Sequence, residues 1–482
     1  MSRTGLTPSA AALSCLCLLA GCAPSLSGNE PREANKAVPA SYGEASAGAK
    51  PASLTASSTQ AVWRSFFDSA ELRALIEASL DKNQELNIRL QEIIIARTEV
   101  SARQGEYLPK LSVGVGAGVE RTGKYTSQGV SDEKNGVPAV LGDFSFGLQG
   151  SWEADIWGKL RNAMKAADRR YLASIESRNF MVTQIVAEIA RSYFELIAID
   201  NQLEILKQNL DTVKDALEIV RLQKEAARVT ELAVQRFEAE VLKNRSRLYA
   251  LEQEKVQAEN RINYLAGRFP QPVRRNAEKL KDPPPAVTSG LPSDLLKNRP
   301  DIRQAELEME AAQLDVKSTK AAFYPSLSID ASVGYRAFNV QHFFATPDSL
   351  VFGLAGSLTA PLLNRTAIEA QYRSANARQI QTVFKYEMTL LQAFTDVANQ
   401  LALIKNLQSA YELQSQQVEA LTRSNEAAMT LFQSARADYM EVLLTRRESL
   451  DAKMELLETR KRQWLAVVNL YQALGGGWRS GT

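Results

Sequence analysis

The sequence predicts a mixed α and β fold built from two tandem structural repeats. Three observations predict it. Short motifs recur in the same order at offsets of 206 to 216 residues, four segments alternate apolar with polar residues, and helical patterns run for more than 60 residues without proline or glycine. Each repeat is therefore expected to hold a pair of strands and a long helical hairpin.

Composition excludes several function classes. The 482 residues carry 57 Lys and Arg against 55 Asp and Glu, so no charge excess exists to attract a nucleic acid. With one histidine, His342, and all three cysteines within the first 22 residues, paired-His metal sites and most His-based triads have too few ligands or bases. We therefore expect no catalytic residues, no metal site and no cofactor, and an enzyme is the least supported class.

The N-terminus has the features of a bacterial lipoprotein signal. Arg3 precedes the apolar stretch 10–19, which is too short to span a bilayer. Leu-Ala-Gly-Cys at 19–22 resembles a lipobox, which implies removal of residues 1–21 and lipidation of Cys22. The alternative is an ordinary secretory signal with a coincidental cysteine. The Ala-, Ser-, Pro- and Gly-rich stretch that follows predicts a flexible linker over 22–60.

Three pairs of matching motifs define the internal repeat. They are 106–112 with 322–328, 148–152 with 354–358, and 227–234 with 435–442. They predict a first repeat over 61–270, a linker over 271–290, a second repeat over 291–478 and a tail over 479–482. The shift in offset places a loop about ten residues longer between the strands of the first repeat.

Four segments have the period-two pattern of amphipathic strands. Their apolar positions include Leu111, Val113, Val115, Ala117 and Val119; Phe144, Phe146, Leu148 and Trp152; Leu327, Ile329, Ala331, Val333 and Tyr335; and Phe352, Leu354, Leu358 and Ala360. Strands of roughly 10 to 14 residues are long enough to cross a bilayer. The alternative is a soluble antiparallel sheet packed on helices.

Four strands do not close a barrel, and an open strand edge lacks hydrogen-bond partners in lipid. A membrane sheet would therefore need several chains. Two chains would give eight strands and a filled interior, whereas three would give twelve strands and a pore.

The strand pairs are followed by long helices. Residues 161–225 contain neither proline nor glycine and would extend about 97 Å as one helix. Leucine, isoleucine and valine recur every three or four residues from Leu196 to Val220, and a return helix carries a similar stripe from Val234 to Leu265. These stripes predict coiled-coil packing, not a cofactor site.

Two motifs carry a resemblance to a known family. The stretch 291–306, LPSDLLKNRPDIRQAE, resembles the hallmark of TolC-like outer-membrane factors, in the OprM/NodT-like lipoprotein branch of the outer membrane efflux proteins. The ending NLYQALGGGW at 469–478 is similar to that branch's C-terminal signature. The resemblance implies a trimeric outer-membrane β-barrel, with four strands per chain and twelve in total, continued by a long periplasmic α-helical coiled-coil barrel with an equatorial belt.

The resemblance also implies a function. It predicts the outer-membrane channel of a tripartite efflux system in a Gram-negative bacterium, lipid-anchored and extending into the periplasm. The channel would be a passive exit duct for drugs or other small toxic compounds. Its partners would be two further copies of the chain, outer-membrane lipid, a periplasmic adaptor (membrane fusion) protein and an inner-membrane transporter of the resistance-nodulation-division (RND) class.

The family places a glycine at each periplasmic helix turn and acidic residues that narrow the closed aperture. Here Ala227 and Ala435 stand at the glycine positions, and Asp438 is displaced by one from the commoner acidic position. The resemblance implies a periplasmic gate formed by Arg436 and Asp438; the alternative is a solvated surface pair. It also implies that the first turn contacts the adaptor through Ala227, Arg228, Val229 and Thr230.

Two other functions remain possible from the sequence. A type I secretion channel for proteins has the same architecture, but the lipobox and the glycine-rich ending argue against it. A periplasm-spanning structural lipoprotein would also explain the coiled coils, but it would not need four amphipathic strands.

Overall fold

The computed structural model describes residues 23–479, except 27, 29, 43–62, 288–289, 291 and 435. Cys22, Ala435 and the predicted signal peptide therefore lie outside the described residues. The chain divides into two compact units. Unit 1 comprises residues 1–34, 93–173 and 305–386, and unit 2 comprises 35–92, 174–304 and 387–482.

Apart from additional short helices, the order helix, strand, strand, very long helix and 35-residue helix occurs twice along the chain. The helices and strands are α1 Trp63–Phe66, α2 Ala70–Lys82, α3 Gln84–Tyr107, β1 Lys110–Arg121, α4 Ser127–Lys134, β2 Val140–Ala154, α5 Lys159–Glu225, α6 Glu231–Leu265, α7 Leu295–Asn298, α8 Pro300–Ala321, β3 Ser326–Ala337, β4 Leu350–Thr359, α9 Thr366–Gln433 and α10 Tyr439–Ala473. Helices α5 and α9 have 67 and 68 residues, and α6 and α10 have 35 each. The predicted tandem repeats are confirmed. No helix within the described ranges combines the length and the apolar character that crossing a membrane requires.

Unit 1 contains a four-stranded antiparallel sheet in the order β1-β2-β3-β4. Its register places apolar residues beside apolar residues, and polar or small residues beside one another, across all four strands. One row is Val113, Leu148, Val333 and Phe352, and the adjacent row is Ser112, Gln149, Ser332 and Gly353. Because neighbouring residues of a strand point to opposite faces, the sheet has one apolar face and one polar face. The predicted strands are confirmed.

The connection between β1 and β2 holds a helix that the sequence pattern did not indicate. Helix α4 begins after Thr126, whose hydroxyl accepts a hydrogen bond from the Gly129 amide at 3.0 Å. Its eight residues carry no apolar periodicity, so only this capping residue marks its start. The connection 338–349 between β3 and β4 is six residues shorter than 122–139, so the first repeat has the longer loop, although the difference is smaller than the ten residues expected.

Unit 2 is built around the predicted helical seams. Leu196, Leu206, Val220, Phe237 and Ile262 are all fully buried. Aromatic rings also pack in this core, where Phe194 stacks on Trp464 with ring centres 4.4 Å apart and Phe66 on Tyr471 with ring centres 4.1 Å apart. Burial of one such large side chain contributes about 1.5–3 kcal/mol, so the seams hold the hairpins together.

The two signature motifs contact each other in unit 2. The Arg299 guanidinium donates to the Ala473 carbonyl at 2.9 Å and is held by the Asp301 carboxylate at 2.7 Å. The Trp478 indole donates to the Asn298 carbonyl at 3.1 Å. Gly475, with φ +83°, lies where a Cβ would come within 2.6 Å of the same carbonyl. The motifs are therefore structural, and the glycine permits their close approach.

Residues 23–42 differ from the flexible linker expected over 22–60. In unit 1, the side chain of Gln379 binds both backbone groups of Arg32, accepting from its N–H at 3.1 Å and donating to its carbonyl at 2.7 Å. In unit 2, Asn35 donates its N–H to Glu387 at 3.0 Å, and Tyr42 stacks on Phe394 at 5.2 Å. We call residues 23–42 the strap. Side chains of α9 hold its backbone in place. Because these contacts come from another part of the chain, the composition of the strap alone did not indicate that it is ordered.

Candidate functional site

The turn between α5 and α6 is a C-terminal helix cap with an alanine at the left-handed position. The Arg228 amide donates to the Gln223 carbonyl at 2.8 Å and the Ala227 amide to the Lys224 carbonyl at 2.9 Å. This is the hydrogen-bond pattern of a Schellman cap, in which the residue at the Ala227 position takes the left-handed conformation. Ala227 has φ +55°, the conformation that favours glycine. Ala227 therefore has the left-handed conformation that explains why the family places a glycine at this turn.

The turn between α9 and α10 has the matching hydrogen bond. The Arg436 amide donates to the Leu431 carbonyl at 2.8 Å, across the same number of residues as Arg228 to Gln223. Ala435, the counterpart of Ala227, lies outside the described residues. Arg228 and Arg436 therefore occupy equivalent positions in the two repeats.

An apolar cluster joins the ends of both hairpins within unit 2. Its buried members include Val213, Val220, Val234 and Phe237 from the first hairpin and Ala428, Phe432 and Val442 from the second. Because residues of both hairpins share this cluster, the two turns are held side by side. We call the two turns, 226–230 and 434–438, the tips.

The predicted gate residues lie on the surface of the second tip. Arg436 and Asp438 are both exposed in the single chain. Asp438 is the residue before α10, and its side chain makes no capping hydrogen bond. In the first hairpin, Arg221 pairs with Glu238 at 2.7 Å and Lys224 pairs with Glu231, which fastens α5 to α6 beside the predicted adaptor-contact residues. Of those residues, Ala227, Arg228 and Thr230 are exposed and Val229 is half-buried.

The apolar face of the sheet in unit 1 is exposed over most of its area. The exposed fractions are 62% for Val113, 78% for Val115, 83% for Phe352 and 78% for Leu354. An apolar surface of this extent is unusual on a water-facing sheet and is typical of one that meets lipid or another protein. The outer edges of β1 and β4 have no strand partner among the described residues.

The start of the strap lies near one end of this sheet. Ala23 and Leu26 pack on a buried cluster that includes Phe323 and Tyr372, and Ile368 packs on the same cluster. Phe323 precedes β3 by three residues and Ile368 follows β4 by nine, so both belong to the same end of the sheet. The residue after the predicted lipidation site is therefore held beside the sheet.

Helix α6 exposes a second apolar surface, in unit 2. Leu242, Tyr249 and Val256 are 62%, 64% and 48% exposed and recur every seven residues. A heptad of exposed apolar residues is the pattern of a coiled-coil seam whose partner helix is in another chain. The sequence contained this spacing, but the buried seam of α6 obscured it.

The two segments 75–268 and 291–476 match the sequence model of the outer membrane efflux proteins. The chain belongs to the outer membrane efflux protein family. Among its relatives, the pyoverdine export outer membrane protein OpmQ of Pseudomonas aeruginosa is 30% identical over 422 residues, which cover 87% of this chain and 88% of OpmQ. The cation efflux system protein CusC of Escherichia coli is 28% identical over 420 residues, 86% of this chain and 88% of CusC.

The fold agrees with solved structures of such proteins. A crystal structure of CusC superimposes with a TM-score of 0.79 at 25% identity, covering 93% of this chain and all of that one. The predicted fold class, the outer-membrane location and the function as an outer-membrane efflux channel are thereby confirmed. The absence of catalytic activity, the gate, the adaptor contact and the lipid anchor stay predictions.

Proposed function

We propose that three copies of this chain form a passive exit duct in the outer membrane. Twelve strands would close one barrel, with the apolar faces toward lipid and the polar faces toward the lumen. The observation that carries this proposal is the register of the sheet, which sorts apolar and polar residues onto opposite faces across all four strands. Pairing β1 of one chain with β4 of the next would provide hydrogen-bond partners for the backbone groups at the outer edges of the sheet, which lipid cannot provide.

The trimer also accounts for the exposed heptad on α6. Leu242, Tyr249 and Val256 would pack against a helix of the neighbouring chain, as seam residues do in a coiled coil. The two repeats, 61–270 and 291–478, would then supply equivalent hairpins to a periplasmic helical barrel, and 271–290 would belong to an equatorial belt between them.

The chain would be anchored by lipid on Cys22 after removal of residues 1–21. Support comes from the lipobox and from the contact of Ala23 and Leu26 with the end of the sheet. That contact would place the lipid beside the barrel wall. The sheet itself would supply most of the membrane-embedded surface, because its apolar face extends over all four strands.

At the tips, we assign the gate to the second turn and the adaptor contact to the first. Arg436 and Asp438 of three chains would alternate around the threefold axis, each cation between two carboxylates. Residues 227–230 would meet the periplasmic adaptor. Support comes from the exposure of these side chains and from the apolar cluster that holds both tips side by side.

The duct would serve a tripartite system with an RND transporter in the inner membrane, which would select the cargo. The relatives' names include cation efflux, pyoverdine export and toluene efflux at similar identity, so we propose only the class of small toxic compounds.

Thiol labelling on intact cells tests the topology of this duct. Cysteines placed in the loops 122–139 and 338–349 should react with a membrane-impermeant maleimide, and a cysteine at Ala227 should not. The wild-type chain provides the background control, because Cys22 would be lipidated. Reaction at Ala227 alone would invert the topology, and reaction at all three positions would contradict a membrane-embedded sheet.

A further inference from the structure

Three charged side chains lie together near one end of the polar face of the sheet. They are Glu120 on β1, Asp143 on β2 and Arg336 on β3. Arg336 donates through Nε and Nη2 to the two carboxylate oxygens of Asp143, at 2.8 and 2.7 Å. A bidentate pair of this kind fixes both groups in place. Both side chains nonetheless remain open to solvent, at 61% and 42% exposure.

The register brings Glu120 next to this pair. Glu120 is opposite Leu141 on β2, so Asp143 is its diagonal neighbour on the same face. The next two rows of that face, which begin at Gly114 and Ser112 and run across to β4, hold only glycine, serine, glutamine and valine. The three residues therefore form a separate charged band with one net negative charge per chain.

We propose that Glu120, Asp143 and Arg336 act as a charge filter that favours cationic and neutral solutes over anionic ones. The inference rests on the proposed function, in which the polar face lines the lumen. Three chains would repeat the band around the pore, giving a ring with a net negative potential. At physiological salt this potential reaches about 8 Å from the wall, so a solute that passes close to the wall experiences it.

Single substitutions change the band's charge in predictable ways. Arg336→Gln doubles its net negative charge, and Glu120→Gln brings it to zero while leaving the Asp143–Arg336 pair intact. The exchange Asp143→Arg with Arg336→Asp keeps both the pair and the net charge. Arg121→Gln is the matched control, because Arg121 lies one residue beyond Glu120 on the opposite face.

A cysteine at Ser145, opposite Arg336 on the polar face, reports the local potential. The probes are a cationic and an anionic methanethiosulfonate reagent of similar size, applied to the full-length protein in outer-membrane vesicles. Their rates are normalised to a free thiol. The cationic reagent should react faster in the otherwise unchanged protein.

The variants should move this rate ratio in defined directions. The potential at the thiol is the sum of the contributions of the fixed charges, each of which falls with its distance from the thiol. Arg336→Gln removes the cation opposite the thiol and should raise the ratio, whereas Glu120→Gln should lower it. The charge exchange brings a carboxylate opposite the thiol and should raise the ratio without a change in net charge, and Arg121→Gln should leave it unchanged.

The possible failures point to different conclusions. If Ser145→Cys reacts with neither reagent, the polar face is closed to water and the proposed lumen is wrong. If it reacts but the ratio is the same in Arg336→Gln and Glu120→Gln, the channel stands and the charge filter is overturned. A shift in Arg121→Gln as large as in Arg336→Gln would also overturn it, because the effect would not belong to the polar face.

Discussion

Replacing Gln379 by methionine should release the first part of the strap. Gln379 is fully buried, and its side chain holds the N–H and the carbonyl of Arg32. Methionine has a similar volume and fills the same space, but it neither accepts from the N–H nor donates to the carbonyl. The substitution therefore removes two hydrogen bonds without opening a cavity.

The size of the effect follows from those two bonds. Each contributes about 0.5–1.5 kcal/mol net, so the strap should lose about 1–3 kcal/mol of docking free energy. That corresponds to a rise of about 5- to 150-fold in the fraction of molecules with the strap detached. The Arg32 guanidinium also lies 4.5 Å from the centre of the Phe384 ring, and this contact is unchanged in the variant.

Limited trypsin digestion measures the detached fraction. Trypsin cleaves after Arg32 and Lys36, and cleavage follows the population of the open form when opening is fast. Fragments that begin at Glu33 or Ala37 should appear faster in Gln379→Met by the factor given above. Gln381→Met is the control, because Gln381 is exposed on the same helix.

Two results would refute the reasoning. Equal cleavage rates in the two variants would mean that the hydrogen bonds of Gln379 do not hold the strap. A parallel rise in cleavage throughout the chain would mean that the substitution destabilises the whole fold instead.

Four further predictions concern the first tip, Glu188, the gate and the lipid anchor. Ala227→Gly should relieve the left-handed strain of the first tip by about 1 kcal/mol, seen as roughly fivefold slower amide exchange in residues 223–231; unchanged exchange would contradict it. Burial raises the pKa of Glu188, but hydrogen bonds from Arg191 and Arg261 outweigh it and hold that pKa below its ordinary value. The stability that Glu188 contributes should thus be present at neutral pH and be lost as pH falls through its lowered pKa, so chemical unfolding of Glu188→Gln should be less pH-dependent; an identical profile would refute this. Neutralising Arg436 or Asp438 should raise the conductance of the purified protein in a planar bilayer, and the reversed pair should restore part of the closure; unaltered conductance in both single variants would assign them to solvated surface. Cys22→Ala should abolish incorporation of radiolabelled palmitate, whereas persistent labelling would contradict the lipobox.

The sequence was most informative where a segment had a single hydrophobic periodicity and all its apolar residues lay in the same environment. The strands were predictable because Val113 and its neighbours alternate without interruption, and the register aligns those residues in continuous rows. The long helices were predictable because their buried seams repeat every three or four residues. The tips were located by the repeat alone, since Ala227 and Arg228 have equivalents 208 residues later.

Features that depend on distant residues were not predictable. The strap is held by Gln379, which lies 347 residues from Arg32, and its own Ala, Ser and Pro content predicts only flexibility. Prediction of the ion pair between Asp143 and Arg336 would have needed the register between β2 and β3, and the residue pattern of each strand does not specify that register. The exposed heptad on α6 was hidden because the helix carries two apolar stripes and only one is buried within the chain.

The central claim is that the apolar face of the sheet meets lipid while the polar face lines a water-filled lumen. Cysteines at Ser112, Val113, Ser332 and Val333, each carrying an environment-sensitive fluorophore, test it directly in reconstituted vesicles. The labels at Val113 and Val333 should be quenched by a lipid-soluble quencher and be insensitive to iodide, and those at Ser112 and Ser332 should behave in the opposite way. Equal quenching by iodide at all four positions would contradict the claim, because it would place both faces of the sheet in water.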